Sequence, residues 1–195
     1  ALRTLREAGL VQSHQGRGTI VERSGLTYGY VHQINTISDL FPADVETRYQ
    51  LSEHGLAALP PEALVFPGIP PGGRWLTIQA YRFRDRADRP FNLMTAFVAE
   101  PFAGIGDRIE AHRGSIYSLI ETTYAKAIDE VEQVITTFKA DAETAAQLGM
   151  AVNEIGVEVR RKYMITSAGL IALISINRYA AGEFNFSMKL KKMRS

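Results

Sequence analysis

The sequence predicts an α+β domain built on an antiparallel sheet with covering helices. Three observations point there. Apolar alternation comes in strand pairs joined by short polar turns, as in "RWLTIQAYRFR" (74–84) and "FNLMTAFV" (91–98) around "DRADRP". Two segments between the strands carry helical spacing with marked ends. The regular βαβ alternation of a doubly wound parallel sheet is missing.

The elements follow in order. "ALRTLREAGL" places Leu2, Leu5 and Leu10 near helical spacing, with Gly9 where a left-handed cap falls, so it reads as a helix tail. Strands are expected at 11–14 and 18–22 around the "QGRG" turn. "SGLTYG" (24–29) has linker composition. "YVHQINTI" and "TRYQL" read as strands; "PPEAL" and "GIPPGG" as turns. In "SIYSLIETTY" (115–124), Ile116, Leu119, Ile120 and Tyr124 share a helical face, and Ser115 is a natural N-cap. "ADAETAAQLG" (140–149) is an alanine-rich helix with an acidic start and a closing glycine. "DEVE" (129–132) reads as a solvated strand edge. The end is β: "EVRRKYMI", "LIALISINRY" and "EFNFSMKL", joined at "TSAG" and "AAGE". Alternation is clearest in the last, with Phe184, Phe186, Met188 and Leu190 on one side. These pieces predict a sheet covered by helices on one side.

Composition bounds the chemistry. Of 195 residues, 46% are hydrophobic and 22% charged, as in soluble globular chains. The net charge of +1 gives no global attraction to nucleic acid or membrane, so such contacts must be local. Without cysteine there are no disulfides, thiol nucleophiles or thiolate metal sites. The most apolar run, "AGLIALISI", falls well short of the ~20 residues that span a bilayer. A cytoplasmic protein is expected. His14, His32, His54 and His112 are scattered without metal-ligand spacing, and no nucleophile–base pair or phosphate loop is visible. Neither a metal, a cofactor nor catalysis is expected.

Three features could carry function. The glycine-flanked Arg17 tips a hairpin that follows a helix, which is how the wing of a winged-helix DNA-binding domain is built; an ordinary surface hairpin reads the same way. Arg82 and Arg84 continue the phase of Leu76, Ile78 and Ala80. A bound anion would explain arginines there, since burying an unpaired guanidinium is costly. Alternatively the strand leaves the core at that point, and Trp75, Tyr81 and Phe83 mark the inner face. In "HRGSIY" (112–117) a helix N-terminus offers N–H groups to an anion, or is merely capped.

Taken together the pieces resemble a known family. "ALRTLREAGLVQSHQGRGTIVE" resembles the end of the winged-helix domain of GntR-type bacterial regulators. "RFRDRADRP", "GSIYSLIETTY", "AETAAQLGM" and "NRYAAGEFNF" resemble, in order, the motifs of the UTRA effector domain of the HutC-like branch. The resemblance implies a chorismate-lyase-like sheet domain over 30–195, a linker at 24–29, and at 1–23 the C-terminal part of a DNA-binding domain whose earlier helices precede this chain. It implies a homodimeric transcriptional regulator, most simply a repressor, that contacts operator DNA through Gln15, Gly16, Arg17, Gly18 and Thr19. A small effector, anionic through phosphate or carboxylate, would lie against Arg82, Arg84, Ser115, Tyr117, Met94, Leu173, Ser175 and Tyr179.

The chain departs from the pattern where Leu173 and Met94 stand for glutamates of amino-sugar-binding relatives, and "AAGEF" stands for "RGDRY". Those departures favour an anion with an apolar body. An enzyme on the lyase-like scaffold and a free-standing binding module are the competing readings; a wing after a helix is of no use to an enzyme.

Overall fold

The computed structural model describes residues 11–14, 18–21, 30–33, 47–64, 66–69, 72–84 and 86–187. The helix tail at 1–10, the linker at 24–29 and the turn residues 15–17 lie outside them.

Among the described residues ten strands and two α-helices run in the order β1 (Val11–His14), β2 (Gly18–Val21), β3 (Tyr30–Gln33), β4 (Thr47–Ala57), β5 (Trp75–Arg84), β6 (Asn92–Ala99), α1 (Ile116–Tyr124), β7 (Glu130–Lys139), α2 (Ala142–Leu148), β8 (Ile155–Ile165), β9 (Leu170–Ala180) and β10 (Phe184–Ser187). β1 and β2 form the expected antiparallel hairpin, Val11 opposite Val21 and His14 opposite Gly18. The main sheet has six strands in the order β4-β5-β6-β9-β8-β7, every neighbour antiparallel. Among the described residues no helix is long and apolar enough to cross a membrane.

Both faces of the central strands are buried, which resolves the two readings of β5. Leu76, Ile78 and Ala80 join Met94, Ala96, Val98, Tyr163 and Leu173 in a core closed by Ile116, Leu119 and Ile120 of α1. Trp75, on the opposite phase, joins Phe97, Ile174 and Ile176 under Ala63 and Phe66. Strands buried on both faces lose the clean in–out alternation that marks a half-exposed sheet. Helices accordingly lie on both sides rather than one. α1 covers the Ile78 face, whereas the Gln147 amide of α2 donates to the Tyr81 hydroxyl at 2.9 Å on the other.

Local chemistry sets the helix ends where expected. Ser115 caps α1, its Oγ accepting from the Ser118 N–H at 3.2 Å. Asp141 caps α2 through the Thr144 N–H at 2.7 Å, and Gly149 closes it at φ 67°, where a side chain would be strained.

The last strand differs from expectation. β10 (Phe184–Ser187) pairs in parallel with β3, Phe184 opposite Tyr30, and not with β9, to which the short "AAGE" turn joins it; residues 188–190 of the expected strand lie outside the described residues. Alternation reports that a segment is extended; it carries no information on which strand receives its hydrogen bonds.

Candidate functional site

On the α1 face the sheet's apolar rows give way, towards one end of the strands, to a polar row. Arg82 is 6% exposed and Arg161 1%, with Thr47, Asn92, Ser115, Ser175 and Asn177 also buried. Strand alternation turns the strand residues to one face: Arg82 is opposite Tyr49 and Asn92, and Arg161, nearer the Ile78 level, is opposite Ser175.

Hydrogen bonds and rings lie against the arginines. Arg82 Nε donates to Thr47 Oγ1 at 2.9 Å, and its guanidinium lies 5.3 Å from the Tyr49 ring centre and 5.9 Å from that of Phe91. Arg161 Nε donates to Gln133 Oε1 at 2.6 Å. Both charges bear on one phenol. Burial pushes the Tyr179 hydroxyl above its ordinary pKa, and the neighbouring Arg161 and Arg82 charges oppose that rise. Tyr163 behaves alike: burial raises it, while Arg161 and hydrogen bonding from Ser175 pull it back. The Tyr163 ring stacks on Tyr117 at 5.7 Å, linking this row to the first turn of α1.

Of the sequence-predicted effector residues, the structure thus brings Arg82, Ser115, Tyr117, Ser175 and Tyr179 into one connected set. Met94 and Leu173 lie in the apolar core on the same face. Arg84 stands at the margin, 38% exposed by its side chain and ion-paired with Glu183. Its guanidinium also lies 4.8 Å from the Phe91 ring centre. For Arg84 the strand does leave the core; for Arg82 it does not. Of the predicted DNA contacts, Gly18 and Thr19 begin β2, and Gln15, Gly16 and Arg17 fall outside the described residues.

Arg161 was missed by sequence reasoning, although its signal was legible. In "EVRRKYMI" it keeps phase with Val159 and Tyr163, both buried, just as Arg82 keeps phase with Ile78 and Ala80. Phe91 was missed too, because it precedes β6 as a bend residue; its ring lies 6.4 Å from that of Tyr179.

A cavity of about 420 Å³ opens on the other face, between α2 and strands β5, β6 and β9. Glu53, Glu62, Asp141 and Glu143 line it with Arg178, whose Nε already donates to Glu158 at 2.7 Å. Such a lining repels anions.

The domain is thus an all-antiparallel six-stranded sheet, helix-covered, with arginines buried in one face. The UTRA domain model matches residues 43–185, and the chain belongs to that family. Solved structures share the fold. The possible transcriptional regulator YydK from Bacillus subtilis is 16% identical, with a TM-score of 0.67 over 97% of this chain and 80% of that one. The effector domain of PhnF from Mycobacterium smegmatis is 15% identical, with a TM-score of 0.67 over 84% of this chain and 100% of that one. The ligand-binding domain of a putative GntR-family transcriptional regulator from Bordetella bronchiseptica is 15% identical, with a TM-score of 0.62 over 74% of this chain and 89% of that one. No curated protein matches.

Proposed function

We propose that this chain is the effector-binding part of a GntR-type transcriptional regulator of the HutC-like branch, a repressor acting as a homodimer on a palindromic operator. Its effector is a small anion with an apolar body, and it has no catalytic role. The observation that carries the reading is the pair Arg82 and Arg161, both buried and both acting on the Tyr179 hydroxyl. Two buried guanidinium groups on one sheet face would supply charge-assisted hydrogen bonds to a phosphate or carboxylate, each worth about 1.5–3 kcal/mol. Arg84, Ser115, Tyr117 and Ser175 complete the polar side, and Met94 and Leu173 the apolar wall. The hairpin of β1 and β2 is the wing of a DNA-binding domain over 1–23, with Arg17 at its tip, and 24–29 link it to the effector domain over 30–195.

The test is a calorimetric screen of inorganic phosphate, small carboxylates and sugar phosphates on the wild type and on Arg82→Ala/Arg84→Ala. A ligand that binds both proteins equally would remove these arginines from the site. A neutral sugar as the best ligand would overturn the anionic effector. For the regulator reading, Arg17→Ala in a protein carrying the complete winged helix should weaken operator binding and leave effector affinity unchanged.

A further inference from the structure

Arg82 and Arg161 are gripped at the same atom. Arg82 Nε donates to Thr47 Oγ1 at 2.9 Å, and Arg161 Nε to Gln133 Oε1 at 2.6 Å. The acceptors come from the two outermost strands of the sheet, β4 and β7. Register puts them there. Thr47 is opposite Arg84, the next pair on the face that carries Tyr49 opposite Arg82, and it is buried. Gln133 is directly opposite Arg161 and half-buried.

A guanidinium is a rigid planar fork. Fixing its Nε–H fixes the rotation of the plane, and with it the directions in which the Nη hydrogens point. A hydroxyl and an amide oxygen share a second property: each orients the cation without adding a negative charge beside it. The other face of the sheet shows the contrast. There Arg160 Nε and Arg178 Nε donate to the two carboxylate oxygens of Glu158, at 2.5 and 2.7 Å. A carboxylate at Nε would repel an incoming anion and compete with it for the same fork. We propose that Thr47 and Gln133 are positioning residues of the effector site, turning the forks of Arg82 and Arg161 through uncharged acceptors that do not compete with an anion. The inference rests on the anionic-effector reading above and extends it to the residues behind the arginines.

The test is calorimetric binding of inorganic phosphate and of benzoate, a carboxylate on an apolar body, with each variant's melting temperature recorded. Thr47→Val removes the acceptor at nearly constant volume. It should raise the dissociation constant of the better-bound probe roughly three- to tenfold, the scale of one hydrogen bond. Thr47→Ser keeps the hydroxyl and should stay within about twofold of the wild type. In an Arg82→Met background Thr47→Val should change affinity no further, because the threonine acts only through the arginine. Gln133→Glu keeps the acceptor and its shape but adds the charge. It should weaken binding about tenfold, with the melting temperature unchanged or raised. A purely structural grip gives the opposite pattern: Thr47→Val lowers the melting temperature at constant affinity, and Gln133→Glu binds as the wild type does. That pattern, with Arg82→Met and Arg161→Met impaired, sinks this inference and leaves the anionic effector standing. If both methionine variants bind like the wild type, or the wild type binds neither probe, both fall.

Discussion

Arg84 and Glu183 stand 99 residues apart in sequence and meet in an ion pair at 2.5 Å. Glu183 immediately precedes β10, and the next residue, Phe184, packs its ring 5.2 Å from that of Tyr179. A carboxylate thus occupies an arginine at the margin of the candidate site, on the segment that leads into the β3–β10 pair. An anionic effector would compete with it. Glu183→Gln should therefore tighten binding of phosphate-bearing ligands roughly two- to fivefold, the scale of an exposed ion pair. In the wild type, such a ligand should speed hydrogen exchange in Phe184–Ser187 and in its partner Tyr30–Gln33. Weaker binding by Glu183→Gln would mean that the carboxylate holds the effector instead.

Arg161 is expected to matter for the ligand as well as for the fold. Arg161→Met keeps the volume and removes the charge beside Tyr179 and Tyr163. Affinity for an anionic ligand should fall about tenfold or more, the value of one charge-assisted contact. A purely structural arginine would give another pattern: a lower melting temperature with affinity unchanged.

Most of the sheet was readable because hairpins announce themselves: β5 and β6, β8 and β9 each show two extended runs around a polar turn. The helix ends were readable because Ser115, Asp141 and Gly149 satisfy backbone groups that any helix leaves open. Long-range relations were not. Nothing local to "EFNFSMKL" says that Phe184 pairs with Tyr30, and nothing local to Arg84 names Glu183. The site was half legible for the same reason. Phase along β5 marked Arg82 as inward, but the meeting of Arg82, Arg161 and Tyr179 depends on strand order across β5, β6, β9 and β8.

His112 should make the protein acid-sensitive. Burial lowers its pKa from 6.5, the hydrogen bond to the Ser115 carbonyl only partly opposing this, and its Nε2 also lies 3.0 Å from Ser118 Oγ. The unfolded chain therefore takes up the proton first. Above its unfolded value the residue has no effect on stability. Below it, stability falls with pH until the folded imidazole is also charged. His112→Gln should flatten the fall of urea-unfolding stability below about pH 6.5 relative to the wild type. An unchanged pH slope would assign the sensitivity to other groups.

Gly156 in β8 should tolerate no side chain. A Cβ there would collide with Phe138 Cε1 and stand 2.7 Å from the Tyr179 carbonyl oxygen. The Phe138 ring covers the glycine from the opposite position in β7, and the Arg178 guanidinium lies 5.4 Å from the centre of that ring. The ring could swing aside; the β9 backbone could not without breaking the rungs that carry Tyr179. Gly156→Ala is accordingly expected to cost about 1–3 kcal/mol in urea unfolding, as overpacking of a formed core does. Phe138→Ala should relieve part of that cost, so the double variant should be less destabilised than the two single changes added together. Full additivity would show that the ring is not the obstacle, and a Gly156→Ala protein as stable as the wild type would show that β9 gives way there.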